Sequence, residues 1–182
     1  MRTHLAVIDM QNVFADPESQ WFTPGFADIV APVGKLVAAF RDVTFTRFVA
    51  PAKPLGAWRL YYRRWPFALK PPHAEIYQLV DGFRVDEPRG STVDETTFGK
   101  WGPQLAKRVG RADVLVLAGV ATDCCVLSTA LAAADAGQVT WIVADACAGM
   151  TDEAHERALD LARGYSPHIE VKTLDEVLTC SA

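Results

Sequence analysis

The chain lacks any long cluster of lysine and arginine, any CxxC pair and any apolar stretch near membrane-spanning length, and each absence removes a class of function. With 18 Lys and Arg against 22 Asp and Glu the net charge is −4, and there is no electrostatic footprint for a phosphate backbone. The cysteines, Cys124, Cys125, Cys147 and Cys180, have no accompanying histidine spacing that suits zinc, and a disulfide scaffold is not expected. Cys124 and Cys125 are adjacent, but reducing cytosol disfavours a strained vicinal disulfide, so free thiols are expected. In MRTHLAVIDMQ the apolar run is short and broken by Asp9, which leaves no material for a signal peptide or a membrane span. The expectation is a soluble, cytoplasmic protein whose partner is neither nucleic acid nor membrane.

What is present is the material of one core. The 182 residues are 50% hydrophobic, with no repeat, low-complexity stretch or linker, so a single domain over residues 1–182 is expected. Short β-rich apolar runs alternate with segments of helical period, the pattern of a parallel sheet covered on both faces. Strands are read at about Leu5–Ile8, Val43–Phe48, Ser91–Asp94, Val114–Ala118, Thr140–Ala144 and Ile169–Thr173. Helices fit at about Ile29–Phe40, Trp101–Val109, Cys124–Ala136, Asp152–Tyr165 and a short one from Asp175. The fold class is α/β: a doubly wound, Rossmann-like, six-stranded parallel sheet in the order 3-2-1-4-5-6. The interval Pro51–Arg89 is the exception, rich in proline and aromatics and without clean periodicity. It reads either as an ordinary packed loop or as a pocket wall or dimer arm. Trp58, Tyr61, Tyr62 and Trp65 equally suit a pocket wall or the buried face of a short helix.

Ligands of a doubly wound sheet bind beyond the carboxyl ends of the strands, where strand order reverses. With the order above, the residues leaving the two strands at that point are Asp9 and the segment Gly119 to Cys125. Cys125 falls in the first turn of the predicted helix Cys124–Ala136, where unpaired N–H groups and the helix dipole favour a thiolate. A helix end contributes only about 0.3–1 kcal/mol, so a neighbouring base is needed, and Asp9 is the candidate. The plain alternatives are a core cysteine and a turn aspartate. Among histidines, His4 and His168 precede strands at the opposite end of the sheet and His155 belongs to a solvent-facing helix. Only His73 could reach the crevice, which argues against a Cys-His or Ser-His triad.

These residues carry a resemblance. Asp9-Met10-Gln11-Asn12-Val13-Phe14 resembles the DxQxxF opening of isochorismatase-like cysteine hydrolases, and Gly119-Val120-Ala121-Thr122-Asp123-Cys124-Cys125-Val126 resembles their nucleophile segment. Thr46-Arg47 and Ala144-Asp145-Ala146 extend the likeness in the expected order. It implies that Cys125 is the nucleophile and that Val120–Ala121 is a non-proline cis peptide, with the backbone N–H groups of Ala121 and Cys125 facing a developing oxyanion. Phe14 and Val120 then belong to the pocket. The family's lysine, carried at the end of the third strand, aligns with Glu95. Lys100, five residues on, either reaches back toward Asp9 and Cys125 or is a plain solvated lysine. If Glu95 enters the pocket, its charge opposes thiolate formation.

Nicotinamidases of the family carry an Asp/His/His site after the second strand, where this chain reads Thr46-Arg47-Phe48-Val49-Ala50-Pro51. Neither metal nor other cofactor is therefore implied. The leading expectation is hydrolysis of a small amide or carbamoyl compound through a thioester. Isochorismatase-type vinyl-ether hydrolysis and a non-catalytic ligand-binding protein are the alternatives. A homodimer or larger homo-oligomer is expected from the likeness and from aromatics between Trp58 and Phe67 that so small a domain would leave exposed.

Overall fold

The computed structural model describes residues 1–83 and 90–181. Six strands, β1 (Thr3–Ile8), β2 (Val43–Phe48), β3 (Gly90–Glu95), β4 (Val114–Val120), β5 (Val139–Ala148) and β6 (Ile169–Lys172), form one parallel sheet in the order β3-β2-β1-β4-β5-β6. Among the described residues the helices are α1 (Asn12–Ala15), α2 (Phe26–Ala39), α3 (Ala57–Arg64), α4 (Pro103–Val109), α5 (Leu127–Asp135), α6 (Asp152–Arg163) and α7 (Leu174–Ser181), with short turns of tighter or wider helix between them. Both fold class and strand order are those expected from the alternating pattern.

Side chains alternate across a strand, and here both faces are covered, so the central strands read as continuous apolar runs. Leu5 and Val7 of β1 join Val114 and Val116 of β4 against Val33 and Leu36 of α2 and Val177 of α7. Ala6 and Ile8 join Leu115 and Leu117 on the other face, against Leu105 of α4, Ala130 of α5 and Leu159 of α6. Helix α6 starts where its sequence says it should: the Thr151 hydroxyl accepts from the Ala154 N–H at 3.1 Å, with Asp152 and Glu153 in the first turn. No helix is long and apolar enough to cross a membrane among the described residues.

Three differences from the sequence expectation bear on the site. The predicted helix from Trp101 begins instead at Pro103, because proline suits the first helical position and disfavours helical backbone in the residue before it. Lys100 lies in the loop before α4, three residues ahead of its start. The predicted helix from Cys124 is divided into a single π turn, Thr122–Val126, and α5. Helix α1 was not expected, and the interval after Pro51 contains α3 followed by 3₁₀ turns at Pro66–Ala68 and Glu75–Tyr77. Residues 84–89 of that interval lie outside the described residues.

Candidate active site

β1 and β4 run side by side, with Ile8 opposite Gly119. Gly119 has φ 118°, and a Cβ there would collide with the Ile8 carbonyl, so the close approach of the two strand ends requires glycine. Beyond Ile8 the chain turns through Asp9 at φ 51°, a left-handed conformation that aspartate tolerates better than most residues. Beyond Gly119 it passes the cis peptide Val120–Ala121 into the π turn that carries Cys124 and Cys125. Such one-turn π segments recur at functional sites.

Asp9 is held by two partners, Thr46 and Lys100. Thr46 donates its hydroxyl proton to Oδ1 at 2.7 Å, and the Asp9 N–H lies 3.3 Å from the same hydroxyl oxygen. The Lys100 ammonium stands 3.0 Å from Oδ2, with both side chains 0% exposed. Lys100 also donates to the Thr97 carbonyl at 2.9 Å and lies over the Phe48 ring, 4.8 Å from its centroid. No hydrogen bond of good alignment reaches Oδ2 among the described residues, so this oxygen retains a lone pair for another donor.

Cys125 is buried, and the charges of Lys100 and Asp9 both act on its thiol, the first lowering and the second raising its pKa. The larger influences are the hydrogen bond with the Cys124 side chain and then burial, which together push the Cys125 thiol well above the ordinary range. The same sulfur–sulfur hydrogen bond lowers the half-buried Cys124. Both influences on Cys125, that hydrogen bond and burial, favour the protonated form of its thiol.

The two cysteines open onto a cavity of about 260 Å³. Its walls are Phe14, Trp21, Phe48, Tyr61, Trp65 and Phe98, completed by Ala121 and Met150. Trp21 is the hub: its ring stacks on Phe14 and meets Phe48, Trp65 and Phe67 edge-on at 5.1–6.4 Å. Burial raises the Tyr61 hydroxyl above its usual range, so it stays protonated.

Residues 3–173 match the family model described as the isochorismatase domain. The chain belongs to that family. Its fold is similar to a cysteine hydrolase from Pseudomonas syringae pv. phaseolicola 1448A, with a TM-score of 0.86 at 22% identity over 99% of this chain and 92% of that one. It is similar also to a nicotinamidase from Bacillus subtilis (TM-score 0.76, 24% identity, 94% and 99% of the two chains) and to N-carbamoylsarcosine amidase from Thermoplasma acidophilum (0.75, 22%, 96% and 98%). At these identities the likeness shows the fold. Comparison with the curated proteins returns no match.

The structure brings Asp9, Lys100 and Cys125 to one crevice, and Phe14 and Ala121 to its wall. Two expectations are corrected. Glu95 does not line the cavity: its Oε1 lies toward Gly102, 3.5 Å from where a Cβ there would stand, although the Lys100 charge still reaches the carboxyl. Burial is the first cause of the raised Glu95 pKa, with Lys100 opposing it. Val120 is fully buried behind the wall rather than in it. The expected exposed aromatics are also absent, since Tyr62 is buried and Trp58, Tyr61, Trp65 and Phe67 are half-buried against Trp21 and its neighbours. Each reading of that aromatic run holds in part: Trp58, Tyr61 and Tyr62 lie on α3, of which only Tyr62 is buried, while Tyr61 and Trp65 line the cavity.

His73 is exposed and outside the cavity, while His155, expected to face solvent, is half-buried with Nδ1 2.8 Å from the Thr122 hydroxyl oxygen. Among the described residues no group of three or more His, Cys, Asp or Glu side chains is placed to hold a metal ion. Sequence reasoning missed Trp21 and the buried Gln11, whose side chain donates to the Phe48 and Tyr77 carbonyls at 3.0 and 2.9 Å and accepts from the Phe48 N–H at 2.7 Å. The signal was there for Gln11, a polar residue two places after Asp9 and within the motif that opens the resemblance.

Proposed function

We propose that this member of the isochorismatase family hydrolyses a small amide or carbamoyl compound through a thioester on Cys125. The observation that carries the reading is the fully buried Asp9–Lys100 ion pair acting on a thiol in the wall of a cavity. As the Cys125 sulfur attacks the carbonyl carbon, Asp9 Oδ2 takes its proton, and Lys100 stabilises the anionic character of the group. The backbone N–H groups of Ala121 and Cys125 receive the oxyanion. Collapse expels the amine, which takes the proton from Asp9; water then attacks the thioester with Asp9 again as base, the C–S bond breaks to release the acid, and the Cys125 sulfur takes the proton back from Asp9.

The walls narrow the substrate. Among the described residues no cationic side chain lines the cavity: Lys100 is committed to Asp9, Arg47 to a two-pronged pair with Asp94 at 2.6–2.7 Å, and Arg64 lies against the Trp65 ring. Placing an unpaired carboxylate there is costly, so the group attached to the amide is uncharged. Ammonia or amine release from a panel of uncharged and carboxylate-bearing small amides tests the proposal. Turnover of uncharged amides that disappears in Cys125→Ala supports it, and turnover that survives that substitution overturns it. Self-association belongs to the same reading, resting now on family likeness and on the exposed Leu55, Leu60 and Leu69 rather than on aromatics. Sedimentation at micromolar concentration should show at least a dimer.

A further inference from the structure

Lys100 poses a positional problem. It is five residues past Glu95, the last residue of β3, so no sheet ladder holds its backbone, yet its ammonium must stay on Asp9. A single hydroxyl fills that need. Thr129 of α5 is fully buried, accepts from the Lys100 backbone N–H at 2.9 Å and donates to the Cys125 carbonyl at 2.6 Å.

The second of these bonds is an ordinary habit of threonine in helices, where the hydroxyl returns to the carbonyl four residues back. The first is not local, spanning 29 residues of chain. It is supported by the close seating of the preceding residue: a Cβ on Gly99 would stand 3.3 Å from the Ser128 carbonyl oxygen, so the loop rests directly on the first turn of α5. Lys100 is thus fixed at both ends, its backbone on the helix that follows the nucleophile and its ammonium on the aspartate and the Thr97 carbonyl.

We propose that Thr129 is a positioning residue that sets the lysine and the nucleophile in register, by bonding the backbones of Lys100 and Cys125 through one hydroxyl. The inference deepens the proposed reaction and rests on it for its consequence in turnover, but the placement itself is read without substrate. Misplacement of a catalytic group by about 1 Å costs up to about a hundredfold in rate, so loss of the hydroxyl acts on kcat.

The test compares Thr129→Val, which keeps the shape and loses both bonds, with Thr129→Ser, which keeps both. Alkylation of Cys125 is followed against pH by peptide mapping, which separates it from Cys124; Asp9, Lys100 and Cys124 are the groups whose charge faces it. Lys100 favours the thiolate, so Thr129→Val should move the Cys125 profile to higher pH and lower kcat at least about tenfold with KM little changed. Thr129→Ser should restore both to within about twofold, and urea unfolding shows that each variant is folded. A folded Thr129→Val with the parent thiol profile overturns the proposal, as does a Thr129→Ser that fails to restore it. If the parent protein turns over no amide at all, the proposed reaction fails while the thiol profile still decides the role of Thr129.

Discussion

The floor and the walls of the cavity are built on opposite principles. The floor is a connected polar set, with Asp9, Thr46, Lys100 and Thr129 fully buried and each given a partner across the sheet or from a neighbouring helix. The walls are aromatic rings from separate stretches of chain, meeting at angles from 11° to 76°. A buried polar set tolerates no loose member, because each unpaired group costs its full desolvation, whereas ring contacts are individually small and shared among many neighbours. The difference assigns tasks: floor substitutions act on chemistry and folding together, wall substitutions on binding.

The largest effect expected is from Lys100→Met. It leaves the Asp9 carboxylate buried without its countercharge, at a cost of about 3–5 kcal/mol in stability, and should remove measurable turnover. Adding Glu95→Lys, which places a cation at the end of β3 where the family carries it, should return part of both losses. Urea unfolding alongside turnover checks this, and a double variant no better than Lys100→Met would mean that Glu95 is too far from the crevice. Next in size is Asp9→Asn, nearly the same shape without the base, expected to lower kcat by about 10²–10⁴.

On the wall, Trp65→Leu should raise KM several-fold while leaving kcat within about twofold, since that ring lines the cavity and belongs to none of the polar contacts of Asp9 and Lys100 described above. A fall in kcat instead would break the division between floor and wall.

Smaller still is the effect of Cys124→Ala. Its hydrogen bond is the first cause of the raised Cys125 pKa, so removing it lowers that pKa, increases the thiolate fraction at any pH below the titration and speeds Cys125 alkylation near pH 8. The least effect is expected of Tyr62→Phe. The Tyr62 hydroxyl is buried with no hydrogen-bond partner among the described residues, so its removal should be neutral or should stabilise by up to about 1 kcal/mol, measured as the urea midpoint.

The floor was far more legible in the sequence than the walls, and the reason is physical. Asp9 and Cys125 follow from topology, because apolar runs of strand length locate the strand ends and the doubly wound order brings those of β1 and β4 together. Lys100 was harder, since alignment by position points to Glu95 and only the folded loop shows that Lys100 supplies the cation beside Asp9. Pro103 held the missed clue: by starting α4 two residues late it frees Lys100 to turn back. Trp21 left no local signal at all, as it sits between α1 and α2 in a stretch without periodicity and acquires its place only through contacts with Phe48, Tyr61 and Phe67.

Acylation of Cys125, beside the Asp9–Lys100 charge pair, is the step on which the proposed reaction turns. Acid quenching of the protein during hydrolysis of an uncharged small amide, followed by peptide mapping with mass spectrometry, tests it most directly. An adduct with the mass of the acyl group is expected on the peptide of Cys125 in the parent protein and not in Cys125→Ala. Steady turnover with an unmodified Cys125, or an adduct confined to Cys124, would contradict it.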